Sequence, residues 1–335
     1  MRLVLLLVWS ALAVSAADTL DIYWIDVEGG AATLIVTPAS EIILVDAGWP
    51  GYDGRDAKRI AAVLSEQAHA KRIDYFITSH FHRDHVGGLP NLAGRVPIGQ
   101  FVDHGDSVEL NRKGGSELWE NYLSVARGKR LEAVPGTKLP LAEAELIFVA
   151  SHSRFLAQPL QGSRKNPHCT DAQLLDPDTG ENGKSVGFVV RFGTFEFLDL
   201  GDLTWNYEHE LACPVNRISE VDLYQVTHHG LNTSVAPQQV WAARPAVAVM
   251  NNGPRKGGNP KVYEVLTKSP DIEDIWQVHL SLEADQDHNT KSKMIANLGE
   301  TKNCRGHWIK ASVGKDGSYT LTNSRNGFSK TYESR

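Results

Sequence analysis

The stretch SHFHRDHVGG, residues 79–88, places three histidines and one aspartate within six consecutive positions. It follows the apolar run IDYFIT, residues 73–78, whose β-branched and aromatic residues predict a buried strand. The histidines therefore lie in the loop at the carboxyl end of that strand, where catalytic and ligand-binding side chains are common. This loop is therefore the first candidate for the functional site.

The spacing within the loop suits two metal ions. His80 and His82 are two positions apart and can point the same way, whereas Asp84 and His85 come one turn later and can face a second point. Neutral imidazole and carboxylate oxygen are ordinary zinc ligands, and sites that contain carboxylates also accept manganese or iron. The sequence therefore predicts two divalent metal ions, with Zn²⁺ as the first choice and Mn²⁺ or Fe²⁺ as alternatives.

Other strand-like runs also end on residue types that bind metals. The residues delivered in this way are, in chain order, His152, Asp202, His228 and His229. Convergence of several strand ends on one point is what a metal site at the rim of a sheet requires. We therefore expect these residues to meet the cluster at 80–85.

Three more residues are candidates for contact with a substrate. His104 follows a strand-like run and could line the site. Arg255 and Lys256 lie in the glycine-rich loop NNGPRKGGNP, residues 251–260, and could face an anionic substrate; a solvated turn is the alternative interpretation. The segment 155–185, rich in Pro, Gly, Asn and Asp, is predicted to cover the site or to form a surface excursion.

The N-terminus has the layout of a secretory signal peptide. Met1 and Arg2 precede an apolar run at 3–14, and small residues at 15–17 suit cleavage. The run is too short to span a bilayer stably, and no other segment approaches eighteen continuous apolar residues. We predict a signal peptide at 1–17 and a secreted or periplasmic domain at 18–335 without a stable membrane span; an uncleaved N-terminal anchor is the alternative.

Charge and cysteine content narrow the possible partners. The chain has 34 basic and 40 acidic residues, and it lacks a long basic run, which weighs against non-specific binding to duplex nucleic acid. A small phosphorylated substrate remains compatible with a locally positive site. The three cysteines, Cys169, Cys213 and Cys304, form no CxxC pair and permit one internal disulfide at most.

The motif HxHxDH at 80–85, followed by Val86-Gly87-Gly88, resembles the signature of the metallo-β-lactamase superfamily. The sequence VDAG at 45–48 resembles the first motif of that family, whose aspartate, here Asp46, supports the ligand loop. The resemblance implies an α/β fold of the αββα type: two mixed sheets packed face to face, helices outside and metals at one edge.

Within the superfamily, the pattern from Ser185 through Asp202 and Glu208 to the pair before Gly230 most resembles the hydrolase domain of DNA-competence channel proteins of the ComEC type, in a stand-alone secreted form. The chain departs from that pattern in two places. It reads DVEGGA at 26–31, where those domains usually read DVGQGD, and it has Asn259 where they often have a histidine.

The resemblance also assigns ligands. One metal ion would take His80, His82 and His152. The second would take Asp84, His85 and His228, and Asp202 would bridge the two. The alignment leaves open whether His228 or His229 is the ligand.

The implied reaction is hydrolysis by a hydroxide that bridges the two metals. Asp84 would also orient this hydroxide, and His229, or else His104, would protonate the leaving group. The first candidate is a secreted metal-dependent hydrolase of phosphoesters, in particular phosphodiesters. A lactonase-like or β-lactamase-like hydrolase of a cyclic ester or amide is the alternative, and a non-catalytic metal-binding protein is the third.

Overall fold

The structure, a computed structural model, describes residues 19–170, 172–300 and 304–335. The predicted signal peptide, residues 1–17, lies outside the described residues and stays a prediction, as does the start of the mature domain at residue 18. Across the described ranges, no helix is both long enough and apolar enough to cross a membrane.

The described residues form the following elements. In chain order the strands are β1 (Thr19–Trp24), β2 (Thr33–Val36), β3 (Ile42–Val45), β4 (Ile73–Ile77), β5 (Ile98–Asp103), β6 (Arg130–Glu132), β7 (Lys138–Leu139), β8 (Glu145–Ser151), β9 (Arg154–Phe155), β10 (Gly187–Phe192), β11 (Phe195–Asp199), β12 (Leu223–Gln225), β13 (Val247–Met250), β14 (Asp274–His279), β15 (Ile295–Asn297), β16 (Ile309–Gly314), β17 (Ser318–Asn323) and β18 (Ser329–Glu333). The α-helices are α1 (Arg55–Glu66), α2 (Arg83–Val86), α3 (Leu89–Ala93), α4 (Gly115–Ala126), α5 (Trp205–Ala212), α6 (Pro237–Ala243) and α7 (Pro260–Thr267).

The strands form two mixed sheets. The N-terminal sheet has the order β18-β17-β16-β1-β2-β3-β4-β5-β6. The C-terminal sheet has the order β15-β14-β13-β12-β11-β10-β8-β7, with β9 paired to β8. In each sheet an antiparallel part continues into a parallel part, which comprises β3 to β6 in the first and β11 to β15 in the second. The late strand β16 pairs with β1, so that Thr19 lies opposite Gly314.

Apolar side chains from both sheets fill the space between them. Trp24 of β1 and Phe197 of β11 pack edge to face, with ring centroids 5.7 Å apart. The parallel strands β3 (IILV) and β13 (VAVM) are buried along their whole length, as expected for strands covered on both faces. The two sheets are therefore inner layers that share one core.

Helices cover the two outer faces. Helices α1, α3 and α4 pack on the N-terminal sheet, and α5, α6 and α7 pack on the C-terminal sheet. Helix α1 packs on the sheet because it is amphipathic. Its residues Ile60, Val63 and Leu64 lie on one face at helical spacing and are buried against the sheet. The arrangement is helix, sheet, sheet, helix, which confirms the predicted αββα sandwich.

A polar connection crosses the core close to the functional edge. Gln225 accepts hydrogen bonds through Oε1 from Nε1 of Trp24 at 2.8 Å and from Oγ1 of Thr33 at 2.7 Å. Its Nε2 donates to Oδ2 of Asp199 at 2.8 Å, and burial raises the pKa of Asp199 to about 7. Gln225 thus ties the two sheets together at the carboxyl ends of β11 and β12.

The segment between β9 and β10 is held by a disulfide. Cys169 is bonded to Cys213, which directly follows α5, and Cys304 is a free thiol. This agrees with the single bridge that the odd cysteine count permits. The end of the segment, around Glu181 and Asn182, reaches the edge where the predicted ligands lie.

Candidate metal centre

The loops that follow β4, β11, β12 and β13 meet at one edge of the sandwich. The main chain of Ser79 accepts from Val186 at 2.8 Å, and Gly201 accepts from His228 at 3.0 Å. Gly258 donates to the carbonyl of His229 at 3.0 Å, which attaches the loop after β13 to the loop after β12. The carboxyl ends of parallel strands are the usual place for ligand sites in α/β folds, and the predicted ligands other than His152 are brought together there.

Asp46 holds the histidine loop in place through hydrogen bonds. Its Oδ1 accepts from the main-chain N–H of Ser79 at 2.9 Å, and its Oδ2 accepts from the Ser79 hydroxyl at 2.6 Å. The same Oδ2 lies 2.7 Å from Nδ1 of His85. A proton on Nδ1 is therefore held by Asp46, and the lone pair of Nε2 is left to face the centre.

Four buried residues converge beyond that nitrogen. Asp84, His85, Asp202 and His229 each offer a ligand atom, and all four atoms lie within 4.8 Å of one another. Nε2 of His229 is 3.1 Å from Nε2 of His85, 3.3 Å from Oδ2 of Asp84 and 3.4 Å from Oδ2 of Asp202. Its Nδ1 lies 3.3 Å from the carbonyl of Asn251, which can accept the ring proton.

The other two histidines of the loop lie next to this cluster. Nε2 of His80 is 2.9 Å from Nδ1 of His82 and 3.9 Å from Oδ2 of Asp202. The same carboxylate oxygen is 3.1 Å from Nε2 of His85 and 3.4 Å from Nε2 of His228. Oδ2 of Asp202 is therefore shared by the imidazoles on both sides of the centre.

The electrostatics of the centre favour ionised carboxylates. Burial opposes the charge of Asp202, but His85 and His229 outweigh it and hold the pKa of Asp202 well below its usual range. Burial likewise opposes the imidazolium of His85, yet Asp202 and Asp84 raise the pKa of His85 well above its usual value. Burial and the neighbouring imidazoles lower the pKa of His80. Negative charge is thus concentrated on the carboxylates between the histidines.

The turn Thr227–Gly230 presents its two histidines from a left-handed backbone. His228 has φ of 56° and His229 has φ of 55°, and the surrounding loops impose these conformations. A Cβ on Gly257 would lie 2.0 Å from the carbonyl oxygen of His229, so the close approach of this loop requires glycine. His229 points into the cluster, whereas His228 lies at its rim, with Nδ1 3.0 Å from the hydroxyl of Ser234.

Glu208 of α5 supports the chain that follows this turn. Its Oε2 accepts from the main-chain N–H of Ala236 at 2.8 Å. The side chain is fully buried, and burial raises the pKa of Glu208 to about 8. At neutral pH the group is therefore a neutral carboxylic acid in the wall behind the centre.

The two predicted basic residues have different surroundings. The ammonium of Lys256 contacts Oδ2 of Asp84 and lies 5.1 Å from the centroid of the Trp49 ring. Arg255 points outward, where it pairs with Glu300 at 3.1 Å and is 64% exposed. Both line one cavity of about 190 Å³ beside the centre, together with Glu28, Trp49, Tyr52, Arg55, Pro254 and Glu300.

His152 and His104 lie away from the ligand cluster. Strand β8 turns back into β9 directly after Ser151, and this tight turn, in which His152 has φ of 51°, directs the ring toward His104. The two rings have centroids 5.6 Å apart, and both line a separate cavity of about 630 Å³. The structure therefore does not bring the predicted ligand His152 to His80 and His82, because the direction of the β8–β9 turn decides where it points.

Two glutamates that sequence analysis did not identify contact the histidine loop. Oε2 of Glu109 lies 3.4 Å from Nε2 of His82. Glu181 is buried and accepts from the main-chain N–H of Phe81 at 3.0 Å, while Nε2 of His104 lies 2.8 Å from the same Oε2. Both lie in irregular segments without periodicity, so no sequence signal distinguished them from surface acids.

The donor set fits divalent metal ions. Imidazole nitrogens and carboxylate oxygens, with no thiol among the described residues of the cluster, are the ligand types that zinc, manganese and iron accept. The shared carboxylate and the convergent Nε2 atoms form a candidate site for divalent metal ions.

The chain is similar in sequence or in fold to several known proteins. The sequence model of the metallo-beta-lactamase superfamily matches residues 25–153. Two relatives described as UPF0173 metal-dependent hydrolases are each 22% identical to the chain. That of Cupriavidus necator aligns over 270 residues, 74% of this chain and 79% of the relative; that of Cupriavidus taiwanensis aligns over 271 residues, 74% and 80%. The solved metallo-beta-lactamase fold protein YhfI from Bacillus subtilis is 9% identical, with a TM-score of 0.45 over 77% of this chain and 95% of that one.

The superfamily match covers β2 to β8, including Asp46 and the whole histidine loop. It agrees with the observed order of layers and confirms the predicted metallo-β-lactamase fold.

Proposed function

We propose that this metal-dependent hydrolase of the metallo-β-lactamase fold cleaves phosphoesters, in particular phosphodiesters, with two divalent metal ions. The enzyme class agrees with the superfamily match and with the names of the relatives. The substrate class, the metal identity and the assignment of each ligand are our proposals. Zn²⁺ is the first choice, and Mn²⁺ or Fe²⁺ are the alternatives.

A single observation carries the proposal. Oδ2 of Asp202 lies within 3.9 Å of imidazole nitrogens that come from two separate loops, those of His80, His85, His228 and His229. A carboxylate in this position can serve two cations at once. The proposed set for one ion is His80, His82 and Asp202, and for the other it is Asp84, His85, His229 and Asp202.

This assignment takes His229 in place of His228, an exchange that the sequence left open. His229 is fully buried with Nε2 in the cluster, and its Nδ1 faces a carbonyl, which leaves a lone pair on Nε2 for a metal. His228 lies at the rim, so His228 is the proposed group for proton exchange with the leaving group. His104 is held by Glu181 and does not face the cluster.

When bound, two dications would lower the pKa of a water molecule that they hold and would stabilise negative charge on the attacked group. Asp84 is placed to orient the attacking water, because its Oδ2 lies 3.2 Å from Nε2 of His85 and faces Lys256. Glu181 and Asp46 keep the histidine loop in place by accepting the main-chain N–H groups of Phe81 and Ser79.

The cavity next to Lys256 supports an anionic substrate. Three basic side chains, Arg55, Arg255 and Lys256, and two acidic ones, Glu28 and Glu300, line it together with the rings of Trp49 and Tyr52, so the lining has an excess of one positive charge. A phosphodiester with an apolar or aromatic substituent matches both features, since cations can contact the phosphate while rings contact the substituent.

A second candidate substrate, a neutral cyclic ester or amide, is favoured by a different cavity. It has a volume of about 390 Å³ and adjoins His228 through Asn182 and Thr233. None of its lining residues is basic: they are Leu175, Asp176, Asp178, Asn182, Thr204, Trp205, Asn206 and Thr233. A substrate that bound on this side would carry no net negative charge.

We also propose that the protein is exported and is a stand-alone relative of the ComEC-type hydrolase domains. The disulfide between Cys169 and Cys213 supports export, because such bonds persist in oxidising compartments. The signal-peptide pattern at 1–17 and the motifs around Asp202 and His228 are the sequence support.

The test combines metal analysis with hydrolysis assays on bis(p-nitrophenyl) phosphate, a chromogenic β-lactam and a neutral lactone. We expect at least two metal ions per chain and cleavage of the phosphodiester, with both the metal content and the hydrolysis reduced in Asp202→Ala. The exposed Asp287 provides a matched control, Asp287→Ala, which should behave as wild type. Turnover of the lactone or β-lactam alone would establish the second candidate, and less than one metal ion without any hydrolysis would leave a non-catalytic protein.

A further inference from the structure

A second group of metal-ligand side chains lies apart from the residues assigned above. Asp26 follows β1, His279 is the last residue of β14, and Cys304 precedes β16. One oxygen, one nitrogen and one sulfur atom of the three residues lie within 4.8 Å of one another. The thiol of Cys304 is 2.8 Å from Oδ2 of Asp26.

The histidine of this group has an unused nitrogen. His279 is 1% exposed, and its Nδ1 lies 3.2 Å from the carbonyl oxygen of Leu280, to which a ring proton can be donated. The buried Nε2 has no hydrogen-bond partner among the described residues. A buried acceptor without a partner costs free energy, and a metal ion is one ligand that would use its lone pair.

The neighbouring side chains hold the thiol in place. Asn297 donates through Nδ2 to the carbonyls of Val278 at 2.9 Å and His307 at 2.8 Å. Its Oδ1 accepts from the His307 N–H at 2.8 Å and lies 3.6 Å from Sγ of Cys304. The segment that carries Cys304 is thereby attached to the ends of β14 and β15.

The local charge also suits a dication. Three carboxylates, those of Asp26, Glu28 and Asp56, face two guanidinium groups, those of Arg55 and Arg59. The five groups carry one net negative charge, and a thiolate at Cys304 would add a second. A dication would balance these two charges.

Arg59 does not need Oδ2 of Asp26 to remain paired. It donates to that oxygen at 3.2 Å, but also to the main-chain oxygen of Asp26 at 3.0 Å, to Glu28 at 3.2 Å and to the carbonyl of Cys304 at 3.1 Å. Oδ2 can therefore turn to a metal while the guanidinium keeps three acceptors.

We propose that Asp26, His279 and Cys304 form a second, structural metal site that takes Zn²⁺ or a similar borderline-soft dication. Binding replaces the S–H bond with a sulfur–metal bond, and the thiol proton is released to solvent. Zn²⁺ is usually four-coordinate, so a water molecule would fill the position that the three protein ligands leave open. The bound ion clamps the loop after β1, whose Ala31 donates to the carbonyl of Asp84 at 3.1 Å.

Cobalt offers a test that is specific for this site. Co²⁺ bound to a thiolate gives a charge-transfer absorption in the near ultraviolet, whereas Co²⁺ bound only by nitrogen and oxygen does not. Cys304 is the free cysteine of the chain, since Cys169 and Cys213 are joined. We expect the purified protein, titrated with Co²⁺ without reductant, to develop this absorption up to the amplitude of one thiolate ligand per chain, and excess Zn²⁺ to abolish it by displacement.

The variants separate the two metal sites. Cys304→Ser should lack the absorption, and His279→Gln should weaken cobalt binding at this site by at least about tenfold. Asp202→Asn should keep the absorption while losing hydrolysis, which is the matched control. Circular dichroism of each variant shows whether it has folded, and the wild-type titration stands whatever the variants do.

Absence of the absorption in the wild type would overturn this proposal and leave the proposed hydrolase untouched. Persistence of the absorption in Cys304→Ser, or unchanged affinity in His279→Gln, would overturn it as well. If the wild type showed the cobalt absorption but hydrolysed none of the substrates, the proposed function alone would be overturned.

Discussion

Oδ2 of Asp46 lies 2.7 Å from Nδ1 of His85, and the same oxygen accepts the hydroxyl of Ser79 at 2.6 Å. Asp46 contributes no atom to the ligand cluster. It determines instead which nitrogen of His85 carries the proton, and thus which nitrogen is free to bind a metal.

Asp46→Asn should therefore weaken metal binding without unfolding the protein. The amide keeps one oxygen acceptor but presents an N–H₂ group to Ser79 or His85, so the tautomer of His85 is no longer fixed. We expect a loss of about 10- to 100-fold in metal affinity, measured by competition with a chromophoric chelator. Asp74→Asn, another aspartate that accepts a main-chain N–H, is the control, and equal losses in both variants would contradict a specific role for Asp46.

Lys256→Met tests whether the substrate is an anion. Without the ammonium, kcat/KM for bis(p-nitrophenyl) phosphate should fall roughly 10- to 100-fold. A fall of this size corresponds to the loss of one charge-assisted hydrogen bond, which contributes about 1.5–3 kcal/mol. A neutral lactone should be much less affected. The matched change Lys315→Met, at an exposed lysine in the turn between β16 and β17 that does not line this cavity, should alter kcat/KM by less than about threefold, because solvent screens the charge of an exposed side chain away from the substrate. A fall of the same size for both substrates in Lys256→Met would refute the role in charge recognition.

Gln225→Leu tests the polar connection between the sheets. The change leaves the buried N–H of Trp24 and Oδ2 of the buried Asp199 carboxyl without these partners, while Oδ1 of Asp199 still accepts from Gly201. Each unsatisfied group costs about 1–3 kcal/mol, so the free energy of unfolding in urea should decrease by about 2–6 kcal/mol. The same substitution at the exposed Gln286 should change it by less than about 0.5 kcal/mol. Equal stabilities for Gln225→Leu and wild type would show that the connection contributes nothing.

Glu208 should make stability depend on pH. Its carboxyl has a pKa of about 8 when folded and an ordinary value of 4.5, so between these pH values the folded state holds a proton that the unfolded state has released. Stability from this group is therefore full below pH 4.5 and declines as pH rises toward 8, at up to about 1.4 kcal/mol per pH unit.

Glu208→Gln should remove this decline, because the amide does not titrate. Urea unfolding from pH 5 to 8 measures the difference between the two proteins, and Glu210→Gln on the exposed side of α5 is the control. If Glu210→Gln flattened the pH profile to the same extent, the decline would not originate at Glu208.

Much of the fold and the centre could be predicted because its signals are local. The histidine loop, Asp46, Asp202 and the pair at 228–229 each follow a strand, and their short spacings identify them without knowledge of the tertiary structure. The order of layers followed from the family resemblance.

The remaining features depend on contacts that the sequence does not display. The ring of His152 points away because of the turn between β8 and β9, and the choice between His228 and His229 depends on two left-handed residues. Glu109 and Glu181 reach the loop from irregular segments. The partner of Cys169 is set by how that segment packs against α5.

The pairing of β1 with β16 has a consequence for biosynthesis. Thr19 lies opposite Gly314, so one flank of β1 stays unpaired until β16 has been synthesised. Loop closure over such a separation is slow, and folding of this sheet should follow synthesis rather than accompany it. The N-terminal sheet therefore stays incompletely folded during translation. A chain truncated before β16 would expose an unpaired, aggregation-prone edge on β1.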